Sequence, residues 1–93
     1  MQENQTLCGR LCLSKAGRDK GRYFIIMEAN EKEGYALIVD GMMRKISKPK
    51  RKKVKHLELK PVVFEAIAEK FESGAKVFDA EIASAILGSG YVK

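Results

Sequence analysis

Residues 14–22 read Ser14-Lys15-Ala16-Gly17-Arg18-Asp19-Lys20-Gly21-Arg22, a basic, glycine-bearing reversal between two stretches with strand character. On its N-terminal side Leu7, Gly9, Leu11 and Leu13 alternate with Cys8, Arg10, Cys12 and Ser14. That period of two is the signature of a strand with one buried face. On its C-terminal side Tyr23, Phe24, Ile25, Ile26 and Met27 form a short apolar run of the kind that favours strands. Gly17 and Gly21 admit positive φ at no steric cost, so the chain can turn there and present backbone N–H groups to a ligand. Four cations, Lys15, Arg18, Lys20 and Arg22, stand against the single anion Asp19, which makes the tip of the turn anion-facing.

Outward from this turn, the placement of charge says more than its sum. The chain of 93 residues has a net charge of +6. Residues 1–43 are balanced, 44–56 carry eight Lys and Arg and no acid, and 57–93 are slightly acidic. The whole excess therefore lies in Arg44, Lys45, Lys48, Lys50, Arg51, Lys52, Lys53 and Lys55, and a polyanion is the partner such a segment suits. One small domain of this length has room for a modest core but not for a deep cleft with a lid, so function is expected on a surface.

Taken in order, residues 1–6 are polar and expected to be flexible. Strands are predicted at Leu7–Ser14, Arg22–Ala29 and Tyr35–Asp40, with Asn30–Gly34 as the second turn. Asp40-Gly41 signals a tight hairpin and Met42–Ile46 the returning strand. Pro49 and the repelling charges make Ser47–Lys53 an exposed loop, after which Val54, Leu57 and Leu59 bring the chain back as a fifth strand. Short strands joined by short turns are expected to roll into a small SH3-like barrel over residues 7–59, which hides the sheet edges. After Leu59 the period changes. Pro61 suits a first helical position, and Val63, Phe64, Ile67, Ala68 and Phe71 share a helical face that ends at Gly74. A second helix from Asp79 to Gly88 places Ile82, Ala83, Ile86 and Leu87 on one side, so residues 60–93 form a helical hairpin. The expected class is mostly β with α.

Gly9-Arg-Leu, the turn Ser14–Arg22, the following apolar strand, Ile38-Val-Asp-Gly41 and the run Lys48-Pro-Lys-Arg-Lys-Lys with Lys55-His-Leu, in that order, resemble the KOW motif. The likeness is to a family of small bacterial KOW-domain RNA-binding proteins and to related large-subunit ribosomal proteins of archaea and eukaryotes, over roughly the first sixty residues. It implies a KOW-type SH3-like barrel that docks on structured, typically ribosomal, RNA through the glycine turn and the flanking strands. Carried onto this chain, Lys15, Arg18, Lys20 and Arg22 contact phosphates, Gly17 and Gly21 allow close approach, and Asp19 orients a neighbouring cation. The resemblance also implies a ribosome-associated or ribosomal-protein-like role in translation.

The full candidate RNA-binding set is therefore Lys15, Gly17, Arg18, Lys20, Gly21, Arg22, Arg44, Lys45, Lys48, Lys50, Arg51, Lys52, Lys53, Lys55 and His56. Such a surface binds by neutralising phosphates and releasing counterions, which positions the protein and reads little sequence. The competing reading of the lysine run is a solubilising charge cluster. His56 is equally well an ordinary surface residue, and Asp40 a turn-former that satisfies its own backbone. Of the adjacent Tyr23 and Phe24 only one can face out for base stacking, the other being core; Tyr35 is a further stacking candidate. Cys8 and Cys12, four apart on one strand, cannot bridge and have no second pair to complete a zinc site, so free thiols in a reducing cytoplasm are expected and no cofactor is implied. No nucleophile with a base, no paired carboxylates and no Walker loop argue for an enzyme. No apolar run is long enough for a membrane span and Met1–Thr6 is unlike a signal peptide, so a cytoplasmic location without membrane is expected. A rival from another class is a protein-interaction module that uses the C-terminal hairpin, with Phe64, Ile67 and Phe71, to bind a translation or transcription factor.

Overall fold

A computed structural model describes residues 7–92. The expected flexibility of residues 1–6 lies outside them, as does Lys93. Five strands, β1 (Arg10–Ser14), β2 (Tyr23–Asn30), β3 (Tyr35–Val39), β4 (Lys50–Lys53) and β5 (Leu57–Val63), form one antiparallel sheet, followed by helices α1 (Glu65–Ser73) and α2 (Asp79–Leu87). The strand order is β4-β3-β2-β1-β5, so the last two strands in the chain are the two edges of the sheet. A single 3-10 turn, Val54–His56, joins them.

That junction dictates the shape. In a flat sheet the outer strands of five would stand about 19 Å apart at ~4.8 Å per step. Lys53 pairs with Tyr35, beside the Asn30 end of β2, whereas Leu57 pairs with Ser14, beside the start of β2. The two residues therefore occupy diagonal corners, yet four chain steps span at most about 14 Å. The sheet has to be strongly rolled for the chain to make this connection. Two irregularities supply bend. Between Ile26 and Glu28 β2 advances two residues while β3 advances one, so Met27 is a bulge. Between Cys12 and Arg10, β5 advances four residues, Leu59 to Val63, against two on β1. No ladder joins β4 to β5 among the described residues, so the hydrogen-bonded sheet is open.

Alternation along the strands creates two cores. Cys12, Phe24, Ile26, Ala36 and Ile38 point to one face and pack with Leu7 and Leu57 inside the roll. Leu11, Ile25 and Val39 point to the other, where Ile67 of α1, Val77, and Ile82 and Ile86 of α2 cover them. Ile82 is fully buried there, a burial of about 1.5–3 kcal/mol for one such side chain. The helices are tied to each other by Lys70 Nζ on Glu81 at 2.8 Å. Phe64 and Phe71 also pack against this second core, so the apolar faces expected of a helical hairpin are spent on the sheet, apart from Leu87, which is exposed.

Several expected boundaries differ. Leu7–Gly9 precede β1 as a turn, with Gly9 at φ +82°, so Cys8 is not on the strand with Cys12; both thiols are free. Met42–Ile46 is not a strand. Asp40 and Gly41 donate their N–H groups to the Arg44 carbonyl, while the Asp40 carboxylate accepts N–H from Met42 and Arg44, which closes this segment into a loop in place of a ladder. Conversely, part of the lysine run expected to be loop is β4, because alternate cations diverge to opposite faces and the backbone can pair from Ile38↔Lys50 to Tyr35↔Lys53. Pro61 is not helical either. It lies in the bulged part of edge strand β5, where no ladder N–H is required of it. Asp79 begins α2 but caps no N–H of its own helix; its carboxylate takes the Ile46 N–H at 2.8 Å and so anchors the β3–β4 loop.

Gly41 is the tightest helix-to-loop approach. It has φ +78°, and a Cβ there would collide with the Asp79 carbonyl and lie 3.0 Å from the Ala83 N. Gly34 has a similar φ of +76° but open space around it. Gly34→Ala is expected to cost about 1–2 kcal/mol from backbone conformation alone. Gly41→Ala should cost about 3 kcal/mol or more, because α2 must also shift. Urea unfolding of the two variants measures the difference, and equal losses would mean that α2 does not rest on this glycine.

Candidate nucleic-acid interface

The β1–β2 connection carries Lys15, Gly17, Arg18, Lys20, Gly21 and Arg22, all exposed. Its backbone closes through Ser14 N–H to the Arg22 carbonyl, Gly21 N–H to the Ser14 carbonyl and Lys20 N–H to the Gly17 carbonyl. Gly17 and Gly21 both take the left-handed conformation, φ +78° and +85°, that their side-chain-free backbone allows. Asp19 faces inward and is buried, 6% exposed, at the centre of this cationic loop.

Side-chain contacts join this turn to the β3–β4 loop and to β4. Arg44 donates from Nη2 to Asp19 at 3.0 Å. Arg22 donates to Asp40 at 3.1 Å. Lys52 Nζ reaches the Ala16 carbonyl at 2.7 Å, and a Cβ on Gly17 would stand 3.0 Å from that ammonium. The rolled sheet makes the last contact possible. Lys50 and Lys52 share the face of their partners Ile38 and Ala36, and from that face Lys52 reaches the turn. The Lys15 N–H also donates to the carbonyl of His56, so the 3-10 turn is part of the same assembly.

Other members of the expected set look elsewhere. Arg51 and Lys53 are exposed on the opposite face of β4, and the Arg51 guanidinium lies 3.9 Å from the centre of the Tyr35 ring. A cation–π contact thus occupies one face of the tyrosine expected to stack on bases. Arg44, Lys45, Lys48, Lys50 and Arg51 line an open depression of about 550 Å³ with Met43, Ser47 and Pro49. Lys55 is exposed and His56 half-buried on the 3-10 turn. Phe24 is core, and Tyr23 is half-buried toward the helices with its ring 6.0 Å from that of Tyr91.

The two carboxylates convert arginine charge into fixed geometry. Burial pushes the Asp40 carboxyl up, but N–H donation from Arg44 and Met42 and the Arg22 guanidinium outweigh it and hold the group below the ordinary carboxylate range. Arg44 spends Nη2 on the buried Asp19 and its Nε is buried, so its guanidinium is held by the fold more than open to a ligand. By contrast Lys15, Arg18, Lys20, Lys45, Lys48, Lys53 and Lys55 are exposed and form no ion pair among the described residues. These cations are therefore available to an incoming polyanion. Burial pushes the Cys12 thiol up to about 12 and also raises Cys8, whose Sγ lies 3.4 Å from the Met27 carbonyl, so neither presents a reactive thiolate at neutral pH. Among the described residues no group of His, Cys, Asp and Glu could hold a metal ion, and no helix is long and apolar enough to cross a membrane.

Asp19 does orient a cation, as expected, but its partner is Arg44 from the other connection and not a neighbour in the turn; that Asp40 likewise holds Arg22 was missed. The signal was present: Asp19 and Asp40 are the only acids in the two basic connections, and an isolated acid among cations is a candidate anchor. No family model matches the chain, and no curated protein matches it.

The sign of the Asp40 contribution follows from its lowered pKa. An unfolded aspartate titrates near ~3.9. The folded state therefore gains stability above that value and loses it as the pH falls from there through the lower folded value. Asp40→Asn should lower stability at pH 7 by about 1–3 kcal/mol and flatten the acid limb of the stability profile. Urea unfolding at pH 7 and pH 3 checks this; an unchanged acid limb would remove Asp40 from the linkage.

Proposed function

We propose that the chain is a small cytoplasmic RNA-binding protein, a KOW-type SH3-like barrel that docks on structured RNA, most plausibly ribosomal RNA, through its glycine turn and lysine-rich segment. The observation that carries this reading is the meeting of two basic connections on one side of a rolled sheet. Lys52 across Ala16 and Arg44 on Asp19 bring them together, with exposed cations around the junction that have no carboxylate to neutralise them. Each cation that meets a phosphate releases counterions, so affinity is expected to fall steeply with salt.

RNA is favoured over duplex DNA by the order of motifs and by the role of the helices. Both α1 and α2 lie over the second core, and neither offers a basic face to a major groove. The binding surface consists of loops and an edge strand, a shape suited to irregular RNA. Phe64, Ile67 and Phe71, the residues through which a protein partner would have been engaged, pack against the sheet. That leaves the electrostatic surface as the best supported one.

Fluorescence anisotropy against a structured RNA over a range of salt concentrations tests the proposal. The triple variant Lys15→Gln, Arg18→Gln, Lys20→Gln removes exposed cations of the turn that form no ion pair among the described residues, keeps Lys52 on the Ala16 carbonyl, and should reduce the salt slope by about two to three units. Unchanged affinity and slope would exclude this surface.

A further inference from the structure

Beside the glycine turn is an apolar cleft of about 270 Å³ between the start of β2, the β3–β4 loop and α2. Gly21, Tyr23, Met42, Ala83, Ile86 and Leu87 line most of it. Met42 and Leu87 at its rim are each 66% exposed, a large apolar exposure for a chain of this size to leave uncovered. Its polar part is the Arg22–Asp40 pair. The Asp40 carboxylate is used up by the N–H groups of Met42 and Arg44 and by Arg22, whereas the Arg22 side chain stays 44% exposed with further N–H donors.

We infer that this cleft receives the base of one unpaired nucleotide of the bound RNA while the phosphates beside it lie on the Gly17–Gly21 turn. The inference rests on the RNA-binding reading and deepens it. Three features fit such an occupant. The cleft is smaller than the roughly 300–1,000 Å³ of drug-sized ligand sites, which suits a single planar ring system. Its walls are apolar, and Tyr23 together with the flat Arg22 guanidinium offers faces for stacking. The exposed Arg22 is part of its lining, and the exposed Lys20 is the chain neighbour of the lining Gly21, so the occupant should be apolar in one part and anionic in another, as a nucleotide is. A purely apolar peptide segment would leave those cations without a partner. The site lies outside the lysine run and adds residues of α2 and the β3–β4 loop to the interface. It also gives the protein a way to prefer RNA with an extruded base over a continuous duplex, which charge alone does not provide.

The experiment compares two hairpin RNAs of equal length, one with a single bulged 2-aminopurine and one fully paired, at the same salt, with the full chain and with Met42→Gln/Leu87→Gln. Both substitutions are on exposed side chains and neutral, so folding and long-range electrostatics are retained. The unmodified chain should bind the bulged hairpin about tenfold more tightly and change the emission of the 2-aminopurine. The double variant should lose both the preference and the emission change, while its affinity for the paired hairpin stays within about twofold of the parent and keeps its salt dependence. Equal affinity of the unmodified chain for the two hairpins overturns the inference, as does a preference that survives in the double variant. Absence of salt-dependent binding to either hairpin overturns the RNA reading itself, a result distinct from both.

Discussion

Three residues, Val54–His56, connect the two edge strands of a five-stranded sheet, and most of the molecule follows from that short tether. Because β4 ends and β5 begins at diagonal corners, the sheet has to roll, and the roll encloses one core while its outer face needs another cover. Helices α1 and α2 supply it. The same roll swings β4 over the β1–β2 turn, so cations separated by some thirty residues in the chain end on one side, with Lys52 across Ala16. The tether is fastened at both ends: Val54 donates to the Gly34 carbonyl, and the His56 carbonyl accepts the Lys15 N–H. Fold and surface therefore share one constraint.

Much of this architecture was legible because periodicity is a local property. The strands around Leu11, Ile25 and Ile38, the glycine turn and the apolar faces of both helices are visible as spacings of two or of three to four. What failed depends on partners far along the chain. Lys50–Lys53 reads as a loop by charge, and only the pairing with Tyr35–Ile38 makes it a strand. Met42–Ile46 reads as a strand by composition, but the Asp40 carboxylate and Asp79 take backbone N–H groups a strand would have used. Pro61 looked like a helix start because nothing local announces a bulged edge strand. One clue was available and is instructive: Val54 and Leu57 are three apart, which breaks a strand period and fits a 3-10 turn.

The candidate surface was legible as a list of cations and not as a geometry. Sequence shows eight basic residues between Arg44 and Lys55 but cannot divide them. The structure does so by strand alternation and by two buried acids. Lys50 and Lys52 go to the inner face, Arg51 and Lys53 to the outer one, and Arg22 and Arg44 are held by Asp40 and Asp19. Tyr35, a candidate for stacking on sequence grounds, turns out to be covered on one face by Arg51.

The density of lysine on β4 has a second physical consequence. An exposed edge strand is a template for pairing with another chain, and charged side chains, lysine above all, are a common defence. The other edge, β5, carries Pro61 and a bulge, which serve the same end without charge. Protection of an edge therefore explains why β4 is charged. It does not explain why the charge continues beyond the strand, through Arg44, Lys45 and Lys48 before it and Lys55 after it, or why the glycine turn that meets it is basic as well. Those residues have no edge to defend. The excess over what edge protection requires is what the proposed RNA-binding role would account for.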